Sequence, residues 1–422
     1  MTSDVREARA TISPEVVQRR TLRLVFATQI IGGVGVAVGM SVGALLAAEL
    51  ASTSVSGLAQ SAVVIGAALL AIPATEVVHR RGRRSSLAAA YAVAAVGALI
   101  VVLAGLRNSV PLLFGGFFLF GGATAAGMQA RYAAVDLSRP ELRGRHLSTV
   151  VWGTTIGAVS GPNLAALAGA SLERYSIPTL AGPFVFSTLL FVLASIVLWL
   201  FLRPDPAQVA RAGISNFAAA PTPQRHPSIL VAARVVAASA PARLGVLGMA
   251  IGVMAMAPVH VRSAGHDAAH TLRIVGIVLS LHIAGMYAFA PVIGWLTDRL
   301  GKRPVILGGA VLLIAGCAVV GIAGHDATRL ALGLTILGMG WSSTMVAGST
   351  VLSESVGLEL RASAQGLSDA AMGFAGAGAG ALSGVVVDAW GYPTLTALAA
   401  LAVLPLFVAG RRRLDSRPRA KT

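Results

Sequence analysis

Long apolar runs alternate with short polar connections along most of the chain. Each run is about 20 residues long, the length that an α-helix needs to cross the hydrocarbon core of a bilayer. The alternating strand patterns that mark outer-membrane barrels do not occur. The pattern therefore predicts twelve membrane-spanning helices. Six lie near 22–48, 57–78, 87–106, 110–135, 147–170 and 180–202, and six near 244–263, 271–297, 305–324, 328–352, 364–387 and 394–410.

The composition agrees with a membrane protein. Of the 422 residues, 55% are hydrophobic and only 12% are charged, whereas soluble domains carry about 25% charged residues. The formal net charge of +16 does not indicate nucleic acid, because 28 of the 33 Lys and Arg residues fall on one side of the predicted topology. That asymmetry is the positive-inside rule. It predicts a multi-pass protein of the cytoplasmic (inner) membrane with both termini in the cytoplasm.

The two sets of six helices are copies of each other. The loops "HRRGRRS" at 79–85 and "DRLGKRP" at 298–304 are alike, and each is followed by a Glu-Leu-Arg triplet at a similar interval. Gly82 precedes Glu141 by 59 residues, and Gly301 precedes Glu359 by 58. Such a repeat indicates internal duplication. It predicts a bundle at 1–202, a polar cytoplasmic linker at 203–243 with a short surface helix near 228–240, and a second bundle at 244–422.

The loop "GWLTDRLGKRP" at 294–304 resembles the signature that the major facilitator superfamily carries between helices 8 and 9. The first-half copy departs from it, with Thr75 and His79 where glycine and aspartate belong. The resemblance extends over nearly the whole chain. It implies an all-α fold of twelve helices in two pseudo-symmetric six-helix bundles, with alternating access to a central cavity. The matching positions are Gly294, Asp298, Arg299, Gly301, Lys302 and Arg303.

Acidic and basic residues at one set of helix ends are candidates for a gating latch, since charge-assisted pairs can break and reform. The alternative is that they are solvated loop charges that only set the topology. The predicted network consists of Asp298, Arg299, Lys302, Arg303, Arg131, Asp136, Glu354 and Arg361.

A second stretch, "GAVSGPNLAALAG" at 157–169, resembles the glycine-proline motif of the superfamily's antiporters at Gly157, Gly161 and Pro162. Small residues at this spacing also let two helices approach closely. Antiport and plain packing both remain open on this motif.

Polar side chains inside a membrane are costly, so each one is a functional candidate. Asp369, His282 and Glu76 are candidates for carrying a coupled proton, because a carboxylate or imidazole can titrate as its surroundings change. The predicted substrate-cavity residues are Gln29, Gln129, Asn163, His282, Met286 and Met254.

The stretch "LHIAGMY" at 281–287 places His282 and Met286 four residues apart on one helix face. With Met254, four residues before Pro258, it resembles the CcoA-type copper importers of the superfamily, although Ala250 stands where that pattern has a further methionine. Thioether and imidazole ligands select Cu(I), so the resemblance implies a metal site at Met254, His282 and Met286. The alternative is that methionine fills helix contacts and the histidine makes a hydrogen bond.

These observations together predict a monomeric secondary transporter that moves a small solute by alternating access. Proton-coupled export of an organic compound or drug is favoured, and copper(I) uptake is the alternative. A non-transporting membrane sensor is the alternative from another class. The sequence contains no recognisable catalytic constellation, so neither enzymatic activity nor a cofactor is expected.

Overall fold

A computed structural model describes residues 13–51, 53–172, 177–215, 229–256, 270–324 and 326–411. Those ranges are helical and contain no strand. The first half consists of α1 (Pro14–Leu50), α2 (Thr53–Arg81), α3 (Arg83–Arg107), α4 (Val110–Ala133), α5 (Arg143–Leu172) and α6 (Gly182–Phe201), with a 3₁₀ turn at Pro140–Leu142.

Two short helices and a second set of spans follow. The connection holds α7 (Pro206–Ser215) and α8 (Ile229–Ala238). The second half consists of α9 (Ala240–Met254), α10 (His270–Tyr287), α11 (Ala290–Leu300), α12 (Lys302–Gly321), α13 (Ala327–Ser355), α14 (Leu358–Trp390), α15 (Tyr392–Leu401) and α16 (Pro405–Arg411).

Ten helical stretches of the described chain are long and apolar enough to cross a membrane, and the bent pair α8–α9 makes an eleventh. The remaining helix, α5, has 30 residues and is more polar at its first turns. With α10–α11 and α15–α16 each counted as one span, the described chain has the twelve predicted helices in two groups of six.

Two of the predicted spans contain a short turn between two helical segments, and each remains one stretch long and apolar enough to cross a membrane. The span at 271–297 divides after Tyr287, and the span at 394–410 divides after Leu401. Pro291 and Pro405 lie four residues beyond these ends. Because proline has no backbone N–H and its ring clashes with the carbonyl four residues earlier, the regular helical hydrogen bonding is interrupted there. Pro73 is an exception that lies inside α2.

The linker is structured on both sides of its undescribed part, 216–228. The surface helix predicted near 228–240 is α8, which meets α9 at an angle of 107°. Before α7, Asp205 accepts hydrogen bonds from the backbone N–H groups of Ala207 at 3.0 Å and Arg84 at 2.8 Å. Arg211 on α7 donates to the carbonyl of His79 at 3.0 Å. The start of the linker is therefore anchored to the α2–α3 turn.

Each half packs around its own interior. In the first half, Phe120 makes edge contacts with Phe184 and Phe191 at centroid distances of 5.8 and 5.2 Å. Elsewhere helices touch through glycine: a Cβ at Gly97 of α3 would collide with the backbone of Phe120 on α4. Lipid gives helices no hydrophobic reason to associate, so such close van der Waals contacts hold the bundle together.

Candidate functional site

A pocket of about 390 Å³ lies between the two halves. Its polar lining groups come mainly from the first half, and an aromatic corner comes from the second, where the rings of Tyr287 and Trp341 meet edge to face at 5.5 Å. The lining residues are Gln29, Gly32, Gly33, Val36 and Ala37 of α1, Tyr91 of α3, Ala123, Thr124, Gly127, Met128 and Arg131 of α4, Val151, Thr154 and Ala158 of α5, Ile283, Met286 and Tyr287 of α10, and Trp341 and Met345 of α13.

Helix α10 presents the face of Ile283, Met286 and Tyr287 to this pocket. Met286 is thus a lining residue, as predicted for the cavity. His282 is not part of the lining: it is buried, and its Nδ1 lies 2.6 Å from the carbonyl oxygen of Leu334 on α13. Met254 packs against the core of the second half and is also outside the lining. Of the three predicted copper ligands, only Met286 borders the pocket.

Of the glutamines predicted to line the cavity, one does so and one does not. Gln29 lines the pocket and donates from Nε2 to the hydroxyl of Thr154 at 2.8 Å. Gln129 instead lies outside the lining and donates to the carbonyl of Ala71 at 3.3 Å, joining α4 to α2. The side chain of Asn163 lies outside the described part of the structure.

An ion pair beside the pocket joins the two halves. Arg131 on α4 donates from Nη2 to Oδ1 of Asp369 on α14 at 2.6 Å, and both side chains are at most 3% exposed. Tyr132 accepts from the same nitrogen at 3.0 Å, and its hydroxyl lies 3.3 Å from that of Ser368. The sequence placed Arg131 in the latch and Asp369 in proton coupling, whereas the structure brings the two into one pair.

A second set of contacts joins the halves at the end that carries residues 79–84 and 298–303, called here the basic end. Asp298, at the end of α11, accepts hydrogen bonds from the backbone N–H groups of Gly144 at 2.8 Å and Arg145 at 3.0 Å. These amides open α5 in the opposite half. A carboxylate at a helix N-terminus satisfies free N–H groups and is favoured by the helix dipole.

The equivalent contact on the other side of the repeat has different chemistry. His79 takes the place of Asp298, and its Nε2 lies 2.8 Å from the hydroxyl of Ser363 on α14. Arg145 and Ser363 each lie four residues after the Glu that begins a Glu-Leu-Arg triplet. The duplicated latch thus keeps its position in both copies but is ionic in only one.

The rest of the predicted gating network forms smaller groups. Asp136 receives Nε of Arg83 at 2.8 Å, and Arg83 also donates to Gln365 across the halves at 2.6 Å. Glu354 lies 3.1 Å from Lys302 and 3.7 Å from Arg143 of the opposite half. These contacts place Asp136, Glu354 and Lys302 at the interface between the halves.

The other four predicted charges make different contacts. Arg299 stacks over Trp295 of its own helix at 5.0 Å. Glu76 pairs with Arg80 one turn along α2 at 2.6 Å, and its side chain is 45% exposed. Arg303 and Arg361 each bury an Nε that has no acceptor in the described part of the structure.

Several pocket residues were missed from the sequence. Tyr287 and Trp341 lie in runs that read as membrane-embedded helix, and Tyr91 and Thr154 lie in others. The signal for one of them was present: Ile283, Met286 and Tyr287 have the i, i+3, i+4 spacing of one helix face. The sequence analysis instead paired Met286 with His282, the residue directly before Ile283, and His282 lies outside the pocket lining.

The antiporter-like motif in α5 makes close contact with α1. A Cβ at Gly157 would meet the backbone of Gly33, and one at Gly161 would meet Ala37. Gly33 and Ala37 both line the pocket. The glycines therefore set the distance between two pocket-lining helices, which is the packing interpretation of the motif.

Comparisons with known proteins agree with this architecture. The family model of the Major Facilitator Superfamily matches residues 24–270 and 244–422. The MFS-type transporter YdeG of Bacillus subtilis is 35% identical over 409 residues, covering 94% of this chain and 93% of YdeG. The riboflavin transporter RfnT of Brucella anthropi is 26% identical over 408 residues, covering 92% and 96%. The crystal structure of the E. coli fucose:proton symporter FucP superposes with a TM-score of 0.63 at 17% identity, covering 92% and 97%, a likeness of fold alone.

Proposed function

This chain belongs to the major facilitator superfamily of secondary transporters, and we propose that it carries a small organic solute through the pocket between its halves in a proton-coupled cycle. The observation that carries the proposal is the pocket itself. It is lined from both halves, it combines an aromatic corner with a few polar groups, and it has the size and character of a small-molecule site.

The contacts at the basic end supply the gate of this cycle. Asp298 bound to the N-terminus of α5, His79 beside Ser363, and Arg83 beside Gln365 all join one half to the other. A rocking motion of bundles 1–202 and 244–422, connected by the linker 203–243, has to break these contacts each time the pocket opens at this end. Hydrogen bonds and ion pairs suit that role because they reform without lasting change.

The pair Arg131–Asp369 supports proton coupling. It joins the halves beside the pocket, and Oδ2 of Asp369 is buried with no donor in the described part of the structure. A proton on that carboxylate would weaken the pair and loosen the interface. Proton movement would thereby be tied to the change between conformations.

The solute is proposed to be organic because of the aromatic corner and because RfnT, a relative over 96% of its length, is a riboflavin transporter. The sequence favours export, yet the glycines that suggested antiport have a packing role between α1 and α5. Copper(I) remains the alternative, and its only predicted ligand at the pocket is Met286.

The test is transport by purified protein in proteoliposomes, with riboflavin as the first probe and a panel of planar organic compounds as the rest. We expect uptake or counterflow of at least one compound that responds to an imposed pH gradient. A sensor would bind without any flux. We also propose that the protein is a monomer of the inner membrane with both termini in the cytoplasm. Activity reporters fused to each terminus test the placement of the termini.

A further inference from the structure

Arg131 has more hydrogen-bond donor capacity than its neighbours use, and we propose that this capacity recognises an anionic group, such as a carboxylate, on the transported solute. The inference rests on the proposed carrier function and names the chemical class of its substrate.

The hydrogen-bond acceptors around Arg131 differ in strength. A guanidinium carries five N–H donors. Nη2 serves Asp369 and Tyr132, but Nη1 donates to the thioether of Met128 at 3.0 Å, and Nε is buried without an acceptor in the described structure. Met372 offers Nη2 a further sulfur at 3.7 Å. Since thioether sulfur is a weak acceptor, this buried cation is only partly satisfied by the protein.

Arg131 lies at the pocket, where a solute could contact its weakly bound donors. Arg131 and Met128 both line the pocket, and Arg131 is the single charged residue in the described lining. A carboxylate could accept a charge-assisted bond from Nη1 in place of the Met128 sulfur, and such a bond is stronger than one to sulfur. Methionine is unbranched and flexible, so Met128 can turn aside. A solute with an aromatic body and an anionic group would then contact the aromatic corner and Arg131 together.

Charge balance adds a requirement. The positive charge of Arg131 is now matched by Asp369, so an incoming anion would leave a negative charge in excess in a site of low dielectric. Uptake of one proton from solution onto the Asp369 carboxylate restores the balance. Anion and proton would then bind together, as in a symporter. The other ionisable groups facing the pair are Tyr132, Tyr287 and Arg83, the last already held by Asp136.

The test compares carboxylates with their uncharged carboxamides by calorimetric titration of the protein in nanodiscs. The pairs are benzoate with benzamide, nicotinate with nicotinamide, and 1-naphthoate with 1-naphthamide. For at least one pair we expect the wild-type protein to bind the carboxylate about tenfold more tightly than the amide. In the charge-neutral double variant Arg131→Gln/Asp369→Asn the two affinities should agree within about twofold.

Two further variants keep the result interpretable. Arg131→Lys retains the charge without the planar fork and should weaken carboxylate binding about tenfold while leaving amide binding unchanged, even if the double variant does not fold. The matched control, Arg329→Gln/Asp326→Asn, removes an ion pair that stays within one half and lies outside the pocket lining, and it should keep the wild-type preference.

Failure to bind any carboxylate of the panel, equal affinity within every pair, or a preference that persists in the double variant would each overturn the inference. Transport of neutral solutes with no carboxylate preference would do so as well, while leaving the proposed carrier function intact.

Discussion

Thr75 on α2 lies directly against Gly366 on α14, so that a Cβ at position 366 would collide with the threonine hydroxyl. The other copy of the repeat has the reverse arrangement: Gly294 on α11 lies against the hydroxyl of Ser148 on α5. Ser148 and Gly366 each lie seven residues after the Glu of their triplet. At each interface a glycine on one helix makes room for a hydroxyl side chain on the other. The first-half helix carries the hydroxyl residue in both cases, but it is α2 in one interface and α5 in the other.

This exchange predicts a compensating pair of substitutions. Gly366→Ser alone places two side chains where one fits, and overpacking of this kind costs about 1–3 kcal/mol. We expect slower transport and about tenfold faster maleimide labelling of the variant Ser363→Cys in a Cys317→Ser background, because the basic end is forced open. Adding Thr75→Gly should restore the wild-type rates. Gly308→Ser is the control, since no atom lies within 4 Å of a Cβ there; an equal effect at Gly308 would remove the gate interpretation.

Asp298→Asn tests the ionic latch. Asparagine can still accept a hydrogen bond but loses the charge that the α5 N-terminus favours, a loss of about 0.3–1 kcal/mol at exposed sites and up to about 2 kcal/mol in buried ones. We expect transport to fall about tenfold while the folded amount in membranes is unchanged. Asp326 caps α13 through Thr328 and Arg329 at 2.9 and 3.1 Å but stays within its own half. Asp326→Asn should therefore transport normally, and undiminished transport by Asp298→Asn would exclude the latch.

The proton-coupling prediction centres on Asp369. Asparagine neither binds nor releases a proton, so Asp369→Asn should abolish accumulation driven by a pH gradient while solute exchange continues. Glu76→Gln is the comparison, because Glu76 is half exposed and paired with Arg80, and it should leave coupling unchanged. Measurements of uptake with and without the gradient distinguish these results. Wild-type coupling in both Asp369→Asn and His282→Ala would move the assignment to Glu76.

The copper alternative has a direct test. His282 is bound to the Leu334 carbonyl and only Met286 lines the pocket, so we expect the purified protein not to take Cu(I) from a chromogenic chelator. His282→Ala should instead lower the free energy of unfolding by about 1–3 kcal/mol, through loss of a buried hydrogen bond. Tight Cu(I) binding, with lower copper accumulation in His282→Ala and Met286→Ala and equal or higher accumulation in Ala250→Met, would contradict this expectation.

The sequence by itself determined the number of spans, the duplication and the family. Hydropathy is a local property with a threshold length set by the bilayer, so each apolar run could be recognised without its neighbours. The similar loops around Gly82 and Gly301 are also local features, and they were enough to identify the repeat. The turns before Pro291 and Pro405 are also local features, and they leave each of these spans as one apolar stretch.

Only the tertiary structure decided which polar groups meet. Arg131 and Asp369 are 238 positions apart, and their pairing depends on the rotation and depth of α4 and α14. In a soluble bundle the apolar stripe would indicate the buried face of each helix. Here the face toward lipid is apolar too, so periodicity carries little information about rotation. For that reason the sequence identified Met286 and His282 as partners, whereas packing against α13 turned one toward the pocket and the other toward Leu334.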